Sequence, residues 1–266
     1  MTYKKTVVTF LDILGTKDNQ DFESKYKVHR AFHESMRDCQ ARDREEASYY
    51  RKVYSFSDCA YIFHGLRENN DYQTNEEERL IQVALFNTTL TTIRLLSEGY
   101  LVRGGISFGD AYLDDLSFFG PAVEEAFILE SKKAVTPRIL LSDSLGKCAK
   151  LFADKAHLEC YSEANPIFNS LPKRSYIPEL IQQQNNAYLL NPFYILEMEH
   201  RMQMGSHEFT HDELKSSVAS TIEAQLHQYP WENPVRSKLE WMREYVANSR
   251  CSLEHPDSSF AMTRES

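Results

Sequence analysis

The chain has 266 residues, of which 42% are hydrophobic and 12% aromatic, more than a disordered chain carries and enough to bury a sizeable core. Its formal charge of −9 argues against a general nucleic-acid or anionic-membrane surface and leaves a small partner as the expectation, with no stable nucleic acid. No run approaches the roughly 18 consecutive apolar residues of a membrane span, and the amino end lacks a charged region followed by an apolar one, so the expectation is a cytoplasmic chain with no membrane segment of its own. The five cysteines, Cys39, Cys59, Cys148, Cys160 and Cys251, lack CxxC or Cys/His spacing and read as reduced thiols.

Residues 6–14 read as a strand that is apolar nearly throughout, closed by Gly15, which can enter a sharp turn. Its one acid is Asp12, in "VVTFLDILGTK", where a buried strand normally carries an apolar side chain. Residues 22–46 follow with apolar side chains at helical spacing. "RKVYSFSDCAYIFHG" predicts two strands, 51–56 and 59–65, joined tightly at Ser57 and Asp58. A charged connector, 66–78, leads to a helix ending at Gly99, and "YLVRGGISFGDAYL" returns as strand. "GPAVEEAFILESKKA" predicts a helix with Pro121 in its first turn and Ala122, Ala126, Leu129 and Ala134 buried. "RILLSD" is a further strand, with Ser142 or Asp143 capping a short helix through Leu151.

This order predicts a sheet with helices packed against it, a core over 1–150 and a C-terminal extension over 151–266 that completes and packs on it. Residues 152–190, with "QQQNN", read as loop with short elements; "PFYILEME" reads as strand, and 211–228 and 234–249 as helices separated by "YPWENP".

Three segments, "VTFLDILGTK", "VYSFSDCAYIF" and "VRGGISFGDAYLDDLSFFGPAVEEAFILES", resemble class III nucleotidyl cyclases, and within them the pyrimidine cyclases of Pycsar anti-phage systems. The resemblance covers residues 6 to about 143. It implies an α/β, ferredoxin-like class III cyclase fold with additional C-terminal helices. It also implies two divalent metal ions, Mn or Mg, bound by Asp12 and Asp58 with Ile13 beside them; hard oxygen ligands suit these ions next to phosphates. A structural or solvent-facing aspartate is the competing reading. Ile13, Leu14 and Gly15 would bring backbone close to the triphosphate, against a Gly15 that only turns the chain.

Arg103 matches an arginine near the phosphates; the alternative is an ion pair with Asp110, Asp114 or Asp115. Tyr54 stands where purine cyclases usually carry a base-reading lysine, and can stack on a base or simply pack in the sheet. Glu124 and Ile128 depart from the family, which usually places there an asparagine and a transition-state arginine; Arg138, Lys132 and Lys133 are the nearby basic candidates.

The activity implied is uridylate cyclase, converting UTP to 3′,5′-cyclic UMP and pyrophosphate as an antiviral second messenger for a separate effector. The alternatives are a cytidylate cyclase acting on CTP to make cyclic CMP, a degenerate cyclase-like nucleotide-binding domain, and a diguanylate-type enzyme. A single catalytic domain implies a homodimer with its sites at the interface.

Overall fold

The computed structural model describes residues 2–14, 21–40, 48–67, 76–160, 179–194, 201–204, 207–227 and 229–249. Strand β1 (Lys4–Ile13) is buried from Thr6 through Leu11, which requires cover on both faces and explains its unbroken apolar run. It is followed by α1 (Phe22–Gln40), the hairpin β2 (Tyr49–Phe56) and β3 (Cys59–Leu66), α2 (Glu76–Ser97) and β4 (Val102–Leu113). These strands lie in the order β2-β3-β1-β4, every neighbouring pair antiparallel. That is the split βαβ arrangement of a ferredoxin-like fold, as the sequence predicts.

The short β5 (Phe118–Phe119) pairs with the end of β4, and α3 (Pro121–Ile128) leads through a π-helical turn (Leu129–Lys133) to β6 (Ile139–Leu141), parallel to β4. After α4 (Asp143–Cys160), the hairpin β7 (Ile181–Gln184) and β8 (Ala187–Leu190) extends the same sheet through β6. A separate hairpin, β9 (Arg201–Met204) and β10 (His207–Thr210), precedes α5 (His211–Leu226) and α6 (Pro234–Asn248), the additional C-terminal helices.

One face of the sheet carries the main core. Val7, Leu11 and Ile13 of β1 join Val28 and Phe32 of α1, Ala84 and Ile93 of α2, Leu214 and Ile222 of α5, and Leu239 and Met242 of α6. By length and composition α2 would suffice to cross a bilayer, yet 67% of its most apolar window is buried in this fold. Its buried Thr88, Thr89, Thr91 and Thr92 each donate a hydroxyl to the carbonyl four residues earlier at 2.8–2.9 Å, so they enter the core without orphaned polar groups. The other face packs Val8, Phe10 and Phe63 against Ala122, Val123 and Ala126 of α3.

Several boundaries differ from expectation. Helix α4 continues past Leu151 to Cys160, because no proline or glycine interrupts 152–160. "QQQNN" is the exposed end of β7 and its turn: Asn185 and Asn186 adopt φ of 48° and 62°, the left-handed values a two-residue hairpin needs, and the glutamines are polar because the strand is at the sheet edge. The strand expected at "PFYILEME" is absent over 192–194, where Phe193 is fully buried in a turn; 195–199 lie outside the described residues. Helix α6 starts where predicted: Asn233 caps it, accepting from the Val235 N–H at 2.8 Å, with Pro234 at the first position.

Candidate active site

Asp12, on β1, lies directly across from Cys59 in β3 and from Arg103 in β4. Because β3 runs antiparallel, the turn that precedes it comes back to the same end of β1. Ser57 turns the chain at φ 55°, and the Ile13 N–H donates to the Asp58 carbonyl oxygen at 3.0 Å. On the other side, the Leu14 N–H donates to the Leu101 carbonyl at 2.8 Å. Asp12, Asp58, Ile13, Leu14 and Arg103 are thus brought to one end of the central strands, while Gly15 lies outside the described residues.

Both aspartates are mostly buried, with side chains 19% and 17% exposed for Asp12 and Asp58. Buried carboxylates require compensation. Arg103 donates to Asp12 Oδ2 from Nε at 3.1 Å and from Nη2 at 3.0 Å, and its Nε also lies 2.5 Å from Glu130 Oε1. Lys25 Nζ of α1 lies 3.9 Å from Asp58 Oδ2, beyond hydrogen-bond reach but within its field. The Cys59 thiol senses the acids collectively: burial first, then Asp12, Asp58 and Glu130, push its pKa up to about 11. Three carboxylates therefore converge around one strand end.

The ion-pair partners expected for Arg103 are engaged elsewhere. Asp110 pairs with Lys5 at 3.0 Å and Asp115 with Lys52 at 2.7 Å. Asp114 accepts from the Leu116 and Ser117 N–H groups at 2.8 and 2.7 Å, which hold its carboxyl below the usual range. Arg103 instead bridges Asp12 to Glu130, a residue the sequence reading passed over. The available signal was its position four residues after Ala126, on the predicted apolar face of a helix. The π-helical turn begins at Leu129, and Glu130 is only 3% exposed there. Lys25 was missed as well, with no signal beyond its basic charge on the helix after β1.

Helix α3 sits close to β4 because Gly105 has no side chain; a Cβ there would collide with the Ala126 carbonyl oxygen and Leu129. Ser107 Oγ donates to the Ala122 carbonyl at 2.5 Å. Glu124 and Ile128 are exposed on α3, and Lys132 and Lys133 on the following turn. Arg138, half-buried, lines a narrow cleft with Pro137, Trp241 and Tyr245.

Tyr54 packs edge-on against Phe63, ring centroids 5.7 Å apart, and against Phe118 at 5.1 Å. Its hydroxyl donates to the Asp114 carbonyl oxygen, and burial raises its pKa. Tyr54 thus sits packed in the sheet, its hydroxyl held by the loop after β4.

The donor set fits a hard divalent cation: two carboxylates brought to one end of neighbouring strands. Both Arg103 contacts fall on Asp12 Oδ2, and no hydrogen bond to Oδ1 is present among the described residues. Among the described residues no group of three or more His, Cys, Asp or Glu side chains is arranged to hold a metal, so a cation here would depend on Asp12, Asp58 and backbone oxygen.

No protein family and no curated protein matches the sequence. Among solved structures, the chain is similar to one of a bacterial light-regulated adenylyl cyclase at 13% identity and a TM-score of 0.39, over 93% of this chain and 57% of that one. It is similar to another structure described in the same words at 12% identity and a TM-score of 0.41, over 92% of this chain and 58% of that one. The chain spans under two thirds of the length of both, and no residue role is taken from them.

Proposed function

We propose that this protein is a metal-dependent pyrimidine nucleotidyl cyclase that converts UTP to 3′,5′-cyclic UMP and pyrophosphate. In this reading it is a cytoplasmic homodimer whose product is a second messenger for a separate effector in antiviral defence. The observation that carries the reading is the meeting of Asp12 and Asp58 at one strand end, with Arg103 and Lys25 beside them.

Asp12, Asp58 and the Ile13 carbonyl would hold two Mg or Mn ions, which when bound acidify a hydroxyl and neutralise phosphate charge. The chain's own part is positioning. Arg103, anchored by Glu130, presents a guanidinium suited to phosphate, and Lys25 adds a second cation from α1. The ribose 3′ oxygen forms a bond to the α-phosphorus as the bond to the bridging β-phosphate oxygen breaks, and the hydroxyl proton leaves with solvent or pyrophosphate.

Pyrimidine over purine rests on the sequence resemblance and on the absence of the usual base-reading lysine at position 54, where the Tyr54 hydroxyl is already bound to the Asp114 carbonyl. Uracil over cytosine rests on that resemblance alone. A site that hydrogen-bonds the pyrimidine edge rejects the wrong base by leaving a polar group unpaired. A second reading, nucleotide binding without turnover, is favoured by Glu124 and Ile128 at the family's asparagine and arginine positions.

Incubation with each of UTP, CTP, ATP and GTP in Mn²⁺, with products separated by mass, tests this. Cyclic UMP is expected. A preference for CTP replaces uracil by cytosine, a purine product overturns the pyrimidine reading, and tight triphosphate binding without product establishes the second reading.

A further inference from the structure

Away from the carboxylates, α1 brings two imidazoles against β2. His29 and His33 are four residues apart and so share one helical face, with ring centroids 4.5 Å apart. Ser55 Oγ of β2 lies 2.8 Å from His29 Nδ1 and 3.0 Å from His33 Nε2. Two ring nitrogens from one helix thus converge on a single oxygen.

A hydroxyl has one proton and can donate to only one of these nitrogens. Without a metal the three groups are satisfied when one ring donates its N–H to Ser55 Oγ and the other accepts the hydroxyl proton; when both rings take the tautomer that aims a lone pair at this point, the two lone pairs make a chelating set. A cation placed there satisfies both. Histidines at i and i+4 on a helix are a recurrent transition-metal chelate, because their spacing matches two sites of one coordination sphere. The carboxylate in the next position of the helix, Glu34, is occupied by Arg30 and by Arg94, the latter at 2.6 Å.

We infer that His29 and His33, converging on Ser55 Oγ, form a two-histidine clip for a divalent transition-metal ion such as Zn²⁺ or Ni²⁺, separate from the strand-end aspartates. The clip lies where α1 meets the arm of the hairpin that presents Asp58, three residues beyond Ser55. Lys25, one helical turn before His29, already reaches towards that same aspartate.

The test is calorimetric titration of the full chain with Zn²⁺ in excess Mg²⁺, which keeps oxygen sites filled. One ion per chain is expected. His29→Ala and His33→Ala should each weaken it by about tenfold or more, since even groups that only support a ligand are worth that much. Ser55→Ala should bind within a few-fold of wild type. No saturable binding to the wild type, or unchanged binding by both histidine variants, overturns the clip. If a variant does not fold, Cu²⁺ paramagnetic resonance on the wild-type chain decides: coupling to two imidazole nitrogens supports the clip, and oxygen-only coordination overturns it.

Discussion

On the side of the sheet covered by α1 and α2, Val7, Leu11 and Ile13 of β1 are all but excluded from water and join the core that also takes in α5 and α6. On the side covered by α3, the same strand runs Val8, Phe10 and then Asp12, followed across the sheet by Arg103 and beneath it by Glu130. Because successive strand residues point to opposite faces, one strand serves both. The first face is indifferent to charge and sets the shape. The second ends in a cluster of paired charges whose stability depends on each partner remaining in place.

Substitutions on the two faces should separate these roles. Ile62→Ala, in β3 and fully buried in the main core, should cost about 2–5 kcal/mol of stability. Chemical denaturation measures it; a loss under about 1 kcal/mol would mean that this face is less tightly packed than described. Glu130→Ala should cost about 1 kcal/mol, because Arg103 loses one charged contact but stays paired with Asp12. The same denaturation series checks it, and Glu130→Ala with wild-type stability would show that the Arg103 bridge contributes nothing net.

A smaller effect should appear at Cys59. With its pKa raised to about 11, it is roughly one part in a thousand ionised at pH 8, so alkylation should be slow and should quicken with pH up to that value. Asp12→Asn removes one of the anions acting on the thiol and should speed alkylation several-fold, as should a saturating divalent cation. Peptide mass mapping of iodoacetamide adducts follows Cys59 among the other cysteines. A rate unaltered by both would remove Asp12 from its surroundings.

The sheet's inner half was legible in the sequence because its signals are local: the apolar run of β1, the Ser57–Asp58 turn between two strand-like segments, and Pro121 opening α3. Asp12 was conspicuous for the same reason, as a charge inside an apolar run. Glu130 was not, since its significance comes from a π-helical turn and an arginine on another strand, neither of which a helical periodicity encodes. β7 was hidden by being a polar edge strand, and its Asn185–Asn186 turn, a legible hairpin signal, was absorbed into a polar run. Strand register brings Asp12 opposite Arg103, a pairing that proximity in sequence, which offers Asp110, Asp114 and Asp115 as the alternative partners, does not encode.

The strand-end carboxylates as a nucleotide and metal centre are tested most directly by UTP turnover in Mn²⁺ for the wild type, Asp12→Ala and Asp58→Ala, each checked for folding by circular dichroism. Loss of either carboxylate should lower turnover by about a thousandfold or more, the equivalent of several kcal/mol of transition-state stabilisation, while the protein stays folded. Near-normal Mn²⁺-dependent turnover by both folded variants would contradict the assignment.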